Sequence, residues 1–194
     1  MENNIKKCKV EWCNKEVHSK GFCAKHYHIW DKSHYFGGVY RLNIKDKIYI
    51  GKSDMSLKHR TRDEINALKN NIKGTVPKEV LNFFNSLCIE ELGEEYLEPS
   101  LRELIIDKYV SVDYLEERFP FVVDGMSKEE IVQLAFNGYV RYLDNKMDDI
   151  SNYWHSKYYK TIDIAEDKEI NKHKQEDIKN GTNNLLNVNK VKNK

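Results

Sequence analysis

The sequence predicts an α+β fold in which a short antiparallel hairpin is followed and flanked by helices. Val39-Tyr40-Arg41-Leu42-Asn43-Ile44 and Lys47-Ile48-Tyr49-Ile50 alternate β-branched or aromatic side chains with a period of two, on either side of the turn-like Lys45-Asp46. Downstream, residues 56–68, 78–87, 99–108 and 127–145 carry apolar side chains at helical spacing. The chain has 194 residues and 40% hydrophobic content, which suits one domain of ordinary size with small appendages.

The first segment, residues 1–32, contains Cys8-x4-Cys13-x9-Cys23-x2-His26, three thiols and an imidazole within 19 residues. A stretch this short buries no core unaided, so its folding free energy must come from elsewhere. Four such donors suit a tetrahedral structural zinc site, in which metal binding is itself the folding energy. Disulfides are the alternative, but a three-cysteine cluster leaves one sulfur unpaired. His28 and His18 compete with His26 for the fourth position, and the tight Cys-x2-His spacing selects His26. Lys6, Lys7, Lys9, Lys15, Lys20 and Lys25 surround the cluster. They predict a sequence-independent phosphate affinity that falls with salt, the other reading being a purely structural clip.

In the hairpin, alternation sets Tyr40 with Leu42 on one face and Val39 with Arg41 on the other. Two tyrosines, Tyr40 and Tyr49, can therefore lie close together. Gly51 ends the second strand, and residues 56–68 follow as a helix that buries Leu57, Ile65 and Leu68 and leaves Arg60, Arg62 and Glu64 on more polar sides. Strand, strand and helix bring Tyr40, Tyr49 and Arg60 towards one surface.

Asn70-Asn71-Ile72-Lys73-Gly74 stops that helix, and Pro77 suits the first turn of the next, where Val80, Leu81, Phe83 and Phe84 form the apolar side. Cys88, between Leu87 and Ile89, reads as a small buried hydrophobe. An acidic stretch from Glu90 to Glu98 precedes the helix over 99–108, and Tyr109-Val110-Ser111-Val112-Asp113-Tyr114-Leu115 returns to strand periodicity. Ser127-Lys128-Glu129-Glu130 is a capping box opening a helix to about Asn145. Residues 153–160 interleave aromatic and basic groups, which suits core packing or stacking on bases. Beyond Thr161 the text is polar all round, predicting a frayed helix and then a disordered, Lys- and Asn-rich end.

No apolar run approaches the roughly 18 residues that span a bilayer, and the chain does not open on a charged-then-apolar leader. A soluble cytoplasmic protein without a membrane partner is the expectation. Net charge is +1, but residues 1–74 hold 16 basic against 8 acidic groups, leaving 16 against 23 in residues 75–194. A basic front can face phosphates while an acidic rear cannot.

The run Gly38-Val39-Tyr40, then Tyr49-Ile50-Gly51, then Lys52-Ser53-Asp54-Met55-Ser56-Leu57-Lys58-His59-Arg60 resembles the signature of the GIY-YIG nucleases, whose members include phage homing endonucleases, some restriction enzymes and the incision subunit of bacterial excision repair. The cysteine segment is similar to a small knuckle at the front of phage HNH-type endonucleases. The resemblance implies a three-stranded antiparallel sheet, its third strand at 109–115, with residues 35–147 as the nuclease domain, 88–108 as an acidic insertion and 148–194 as a helical tail. It also implies hydrolysis of DNA phosphodiesters with Mg²⁺ or Mn²⁺. Tyr40 is then the general base, Tyr49 its assistant, Arg60 the phosphate clamp, and Lys52 a second cation easing tyrosine ionisation.

Two positions depart from the family pattern. Glu64 stands where a histidine is frequent, and Phe136 stands in the register of the metal-binding glutamate, so that role falls to Glu103 or Glu130. The alternative function is a catalytically silent nucleic-acid-binding or protein-interaction module, with the acidic insertion as a surface for a protein partner.

Overall fold

The computed structural model describes residues 6–93, 98–118 and 125–187. Residues 94–97 of the acidic stretch, the tail end 188–194 and the Trp154 side chain lie outside the description. In chain order the elements are α1 (Ala24–Lys32), β1 (Gly37–Ile44), β2 (Lys47–Ser53), α2 (Leu57–Lys69), α3 (Lys78–Leu92), α4 (Pro99–Tyr109), β3 (Val110–Arg118), α5 (Lys128–Leu143) and α6 (Asp149–Asn180). No helix among the described residues is long and apolar enough to cross a membrane.

The chain divides into two compact units: Met1–Phe36 with Arg118–Tyr159, and Gly37–Glu117 with Lys160–Lys194. In this division α5 groups with the cysteine segment, and the chain from Lys160 onward groups with the sheet.

In the sheet unit the strands run in the order β2-β1-β3, all antiparallel. The β1–β2 register sets Tyr40 opposite Gly51 and Leu42 opposite Tyr49, so the two tyrosines are diagonal neighbours on one face. Two glycines are required by close approach. A Cβ on Gly51 would stand 2.3 Å from the Tyr40 hydroxyl, and one on Gly38, whose φ is +140°, would stand 1.9 Å from the Glu116 carbonyl on β3. Ser56 caps α2 by accepting the His59 amide at 3.2 Å.

The core of this unit joins Tyr40, Leu42 and Ile44 of β1 to Leu57 and Leu68 of α2, Val80, Phe84, Leu87 and Cys88 of α3, and Ile105 of α4. Arg102 lies within it, its guanidinium donating to the Leu68 carbonyl and to Asn85, each at 2.8 Å, and stacking over Phe84. It thereby adds a second donor to a C-terminal carbonyl of α2, which also accepts the Asn71 amide at 3.5 Å.

Two expectations are corrected here. Glu64 is fully buried rather than on a polar side, because Leu57, Thr61, Glu64 and Leu68 share the inward stripe of α2. The helix beyond Thr161 is continuous to Asn180, because Ile162, Ala165 and Ile170 bury one stripe of it. Asp177 then anchors the following chain, accepting from the Asn184 and Leu185 amides at 2.9 and 3.1 Å. That chain lies parallel to β2: the Ile48 amide donates to Asn184, Leu186 donates to Ile48, and the Asn187 side chain pairs with both backbone groups of Ile50.

In the other unit, Ser127 and Glu130 complete the capping box of α5. Phe136 packs against Phe22 with ring centroids 4.8 Å apart, while Leu134 and Leu143 are exposed.

Candidate metal centre and candidate active site

Two tight turns shape the cysteine segment. Cys8 donates its amide to Lys15, Cys13 to Val10, and Ser19 and Phe22 bridge across Lys20-Gly21. Helix α1 then starts on Cys23 and turns His26 back towards Cys8. One donor atom each from Cys8, Cys13, Cys23 and His26 falls within 4.8 Å of every other. Cys8 Sγ is 3.2 Å from His26 Nδ1, and the Cys13 and Cys23 sulfurs are 3.9 Å apart. A tetrahedral ion with bonds of about 2.0–2.3 Å separates its ligands by roughly 3.3–3.8 Å, so the four donors fit a metal ion and are compatible with zinc. His26 is the imidazole of the set, whereas His18 and His28 are exposed.

Asp144, directly after α5, completes this centre. Its carboxylate meets His26 Nε2 at 3.0 Å, accepts from the Trp12 indole at 2.7 Å and pairs with Lys25. Burial alone would raise the Asp144 pKa; Lys25, Trp12 and His26 outweigh it and hold the carboxyl below its usual value. An ionised Asp144 fixes the proton of His26 on Nε2 and leaves Nδ1 free to ligate, as partners of metal-bound histidines do.

In the sheet unit, the rings of Tyr40 and Tyr49 stand edge-on with centroids 6.3 Å apart. Arg60, one turn into α2, is bound to Glu64 at 2.8 Å and to the Thr75 carbonyl at 3.2 Å. Lys52, just past Gly51, pairs with Asp163 and, at 3.2 Å, with Glu166 on α6. Tyr40, Tyr49, Glu64 and Glu166 are all at most 6% exposed.

The electrostatics here work against tyrosine ionisation. Burial first, then the Glu64 charge and Tyr49, drive the Tyr40 pKa far above normal, with Arg60 opposing. Burial and Glu64 push Tyr49 up to about 12. For Arg60, burial favours the neutral form but the Glu64 carboxylate prevails and raises its pKa; Lys52 is raised against burial by Asp163 and Glu166 in the same way. Two cations and three carboxylates thus surround two neutral phenols.

The structure brings Tyr40, Tyr49, Lys52, Arg60 and Glu64 together. It does not bring Glu103 to them, and Glu130 belongs to the other unit. Glu103 is half exposed and bound to Lys69 at 2.7 Å. Glu130 caps α5, where the Ser127 amide and hydroxyl lower its pKa. The carboxylate that sequence reasoning missed is Glu166. Its signal was an acid set within the apolar stripe of Ile162, Ala165 and Ile170, a place where an unpaired charge is costly. Asp144 carried no comparable signal. Compared with family models, curated proteins and solved structures, the chain matches none of them.

Proposed function

We infer that the chain is a metal-dependent endonuclease of the GIY-YIG type, hydrolysing DNA phosphodiester bonds, with zinc held by Cys8, Cys13, Cys23 and His26. The observation that carries this reading is the gathering of Tyr40, Tyr49 and Arg60 with two buried carboxylates, Glu64 and Glu166, around one face of a hairpin. Buried titratable groups clustered with specific charged neighbours mark a functional site more than a stabilising one.

In this reading Arg60 binds the scissile phosphate and Lys52 a neighbouring oxygen, each leaving its carboxylate partner to do so. Tyr40 takes the proton of the attacking water, with Tyr49 holding the phenol in place. Glu166 and Glu64 are the groups that would hold Mg²⁺ or Mn²⁺, which would supply charge neutralisation for the departing oxygen and for tyrosine ionisation. One or two carboxylates with the substrate phosphate is the usual complement for Mg²⁺.

The second reading, a silent nucleic-acid-binding relative, is favoured by one fact: both cations are already paired, and both phenols are held neutral. Supercoiled plasmid nicking separates the two. The wild type should nick with Mg²⁺ or Mn²⁺, while Tyr40→Phe, Arg60→Ala and Glu166→Gln should each lose about 100-fold or more, the scale of one transition-state charge contact. A wild type that shifts DNA in a gel without nicking it, under either metal, establishes the silent module instead.

A further inference from the structure

The unit that carries the metal centre also contains a groove of about 580 Å³, lined from the cysteine segment, α1 and α5. We propose that this groove binds an unpaired nucleotide of single-stranded nucleic acid. The proposal goes beyond the endonuclease reading and does not depend on it.

Three half-buried aromatic rings line the groove, Trp12, Phe22 and Trp30, and each carries a cation. Lys20 Nζ stands 4.0 Å over Trp30, Lys9 Nζ 5.8 Å from Phe22, and the Arg141 guanidinium 5.8 Å from Trp12. Alternating π-faces and cations are what proteins use to hold single strands, the rings stacking on bases and the cations tracking phosphates. Glu11 is the one acidic residue of the lining, against three cations, so the groove favours an anion.

The placement of Lys20 is strained. Its φ is +49°, in the left-handed region that disfavours a non-glycine residue, and the Lys9 stem lies across the following Gly21. This turn is what holds both lysines at the groove. Opposite, Gln133 donates to Asn137 at 3.0 Å from successive turns of α5, two amides set to meet the polar edge of a base. The volume lies within the roughly 300–1,000 Å³ of small-ligand sites. A base reaches recessed ring faces only when it is unstacked, which selects single strands over duplex.

The test uses the full, zinc-loaded chain without added Mg²⁺ or Mn²⁺, following tryptophan fluorescence as short oligothymidylate or a blunt duplex is added. Saturable quenching by the single strand is expected. Trp30→Ala should weaken it about tenfold, the effect of losing one stacked base. Lys20→Glu should lower the salt dependence by about one phosphate contact, while Lys179→Glu, in the other unit, should change neither affinity nor salt slope. Should Trp30→Ala fail to retain zinc, Lys20→Glu and Arg141→Glu carry the test. Quenching by duplex as strong as by single strand, equal binding of an acidic peptide, or affinity unmoved by Lys20→Glu and Arg141→Glu each overturns the proposal. Plasmid nicking is read separately: a chain that nicks but ignores oligothymidylate loses only this groove, and one that binds without nicking loses only the endonuclease reading.

Discussion

The two units hold their charged groups in opposite ways. In the first, four donors drawn from 19 residues converge on one point. In the second, Tyr40, Glu64 and Glu166 are set into a continuous core of strands and helices, and each charge is offset by a neighbouring side chain. One region gathers four donors that fit a single ion; the other sets its charges inside a packed core and carries unfavourable electrostatics as a consequence. The first unit should therefore be vulnerable to chelation and the second to loss of a single charge.

Chelation should break the comparison most widely. Structural zinc supplies about 10–16 kcal/mol in small metal-folded peptides. Removing it should abolish amide protection over residues 6–36 in hydrogen exchange while residues 37–92 keep theirs. Equal loss in both segments would show that the units do not differ in this way. One metal per chain by elemental analysis is the accompanying expectation.

Arg60→Ala comes next. It leaves the fully buried Glu64 carboxylate without its guanidinium, and breaking a buried pair from one side costs about 3–5 kcal/mol. The urea midpoint should fall accordingly, and the double variant Arg60→Ala/Glu64→Gln should recover part of the loss. A double variant no more stable than the single one would mean that Glu64 is not the source of the strain.

Alkaline pH probes the same charges. A tyrosine whose folded pKa is raised contributes stability that is intact below the unfolded value near 10 and is lost above it, because the unfolded chain sheds the proton first. For Tyr49, raised to about 12, that window runs from 10 to 12. Stability should fall there by about 1.4 kcal/mol per pH unit per buried tyrosine. Tyr49→Phe should flatten the slope, and an unchanged slope in that variant counts against a buried, neutral Tyr49.

The smallest effect is expected at Asp144, which acts through His26. Asp144→Asn removes the charge but retains a hydrogen-bonding side chain, and the loss of such a partner lowers metal affinity about 10–100-fold. Competition with a chromophoric chelator measures this. Affinity equal to wild type would mean that His26 is oriented by packing alone.

The hairpin, α2, the capping box of α5 and the cluster of three cysteines with His26 were legible because each is set by local spacing. A period of two, a cap residue or a Cys-x2-His interval specifies its geometry within a few residues. Glu166 and Asp144 were not legible, since each reaches its partner across more than a hundred residues of sequence, Lys52 to Glu166 and Lys25 to Asp144. Glu64 was misplaced for a related reason. A charged residue on a helix is assigned to water by default, and only the tertiary position of Arg60 and the tyrosines makes burial tolerable. The length of α6 was underestimated because its apolar stripe is only three residues wide of the polar background, Ile162, Ala165 and Ile170.

The chain around Leu185 that runs beside β2 has a consequence for how the molecule comes into being. Ile48 and Ile50 find their outer partners only in residues 184–187, so a hairpin complete by Ser53 waits for about 130 further residues before that side is paired. During synthesis at roughly 5–20 residues per second, the nascent strand therefore shows an unpaired edge for many seconds. Lys47 and Lys52 at its ends are the kind of charges that discourage another chain from pairing there in the meantime.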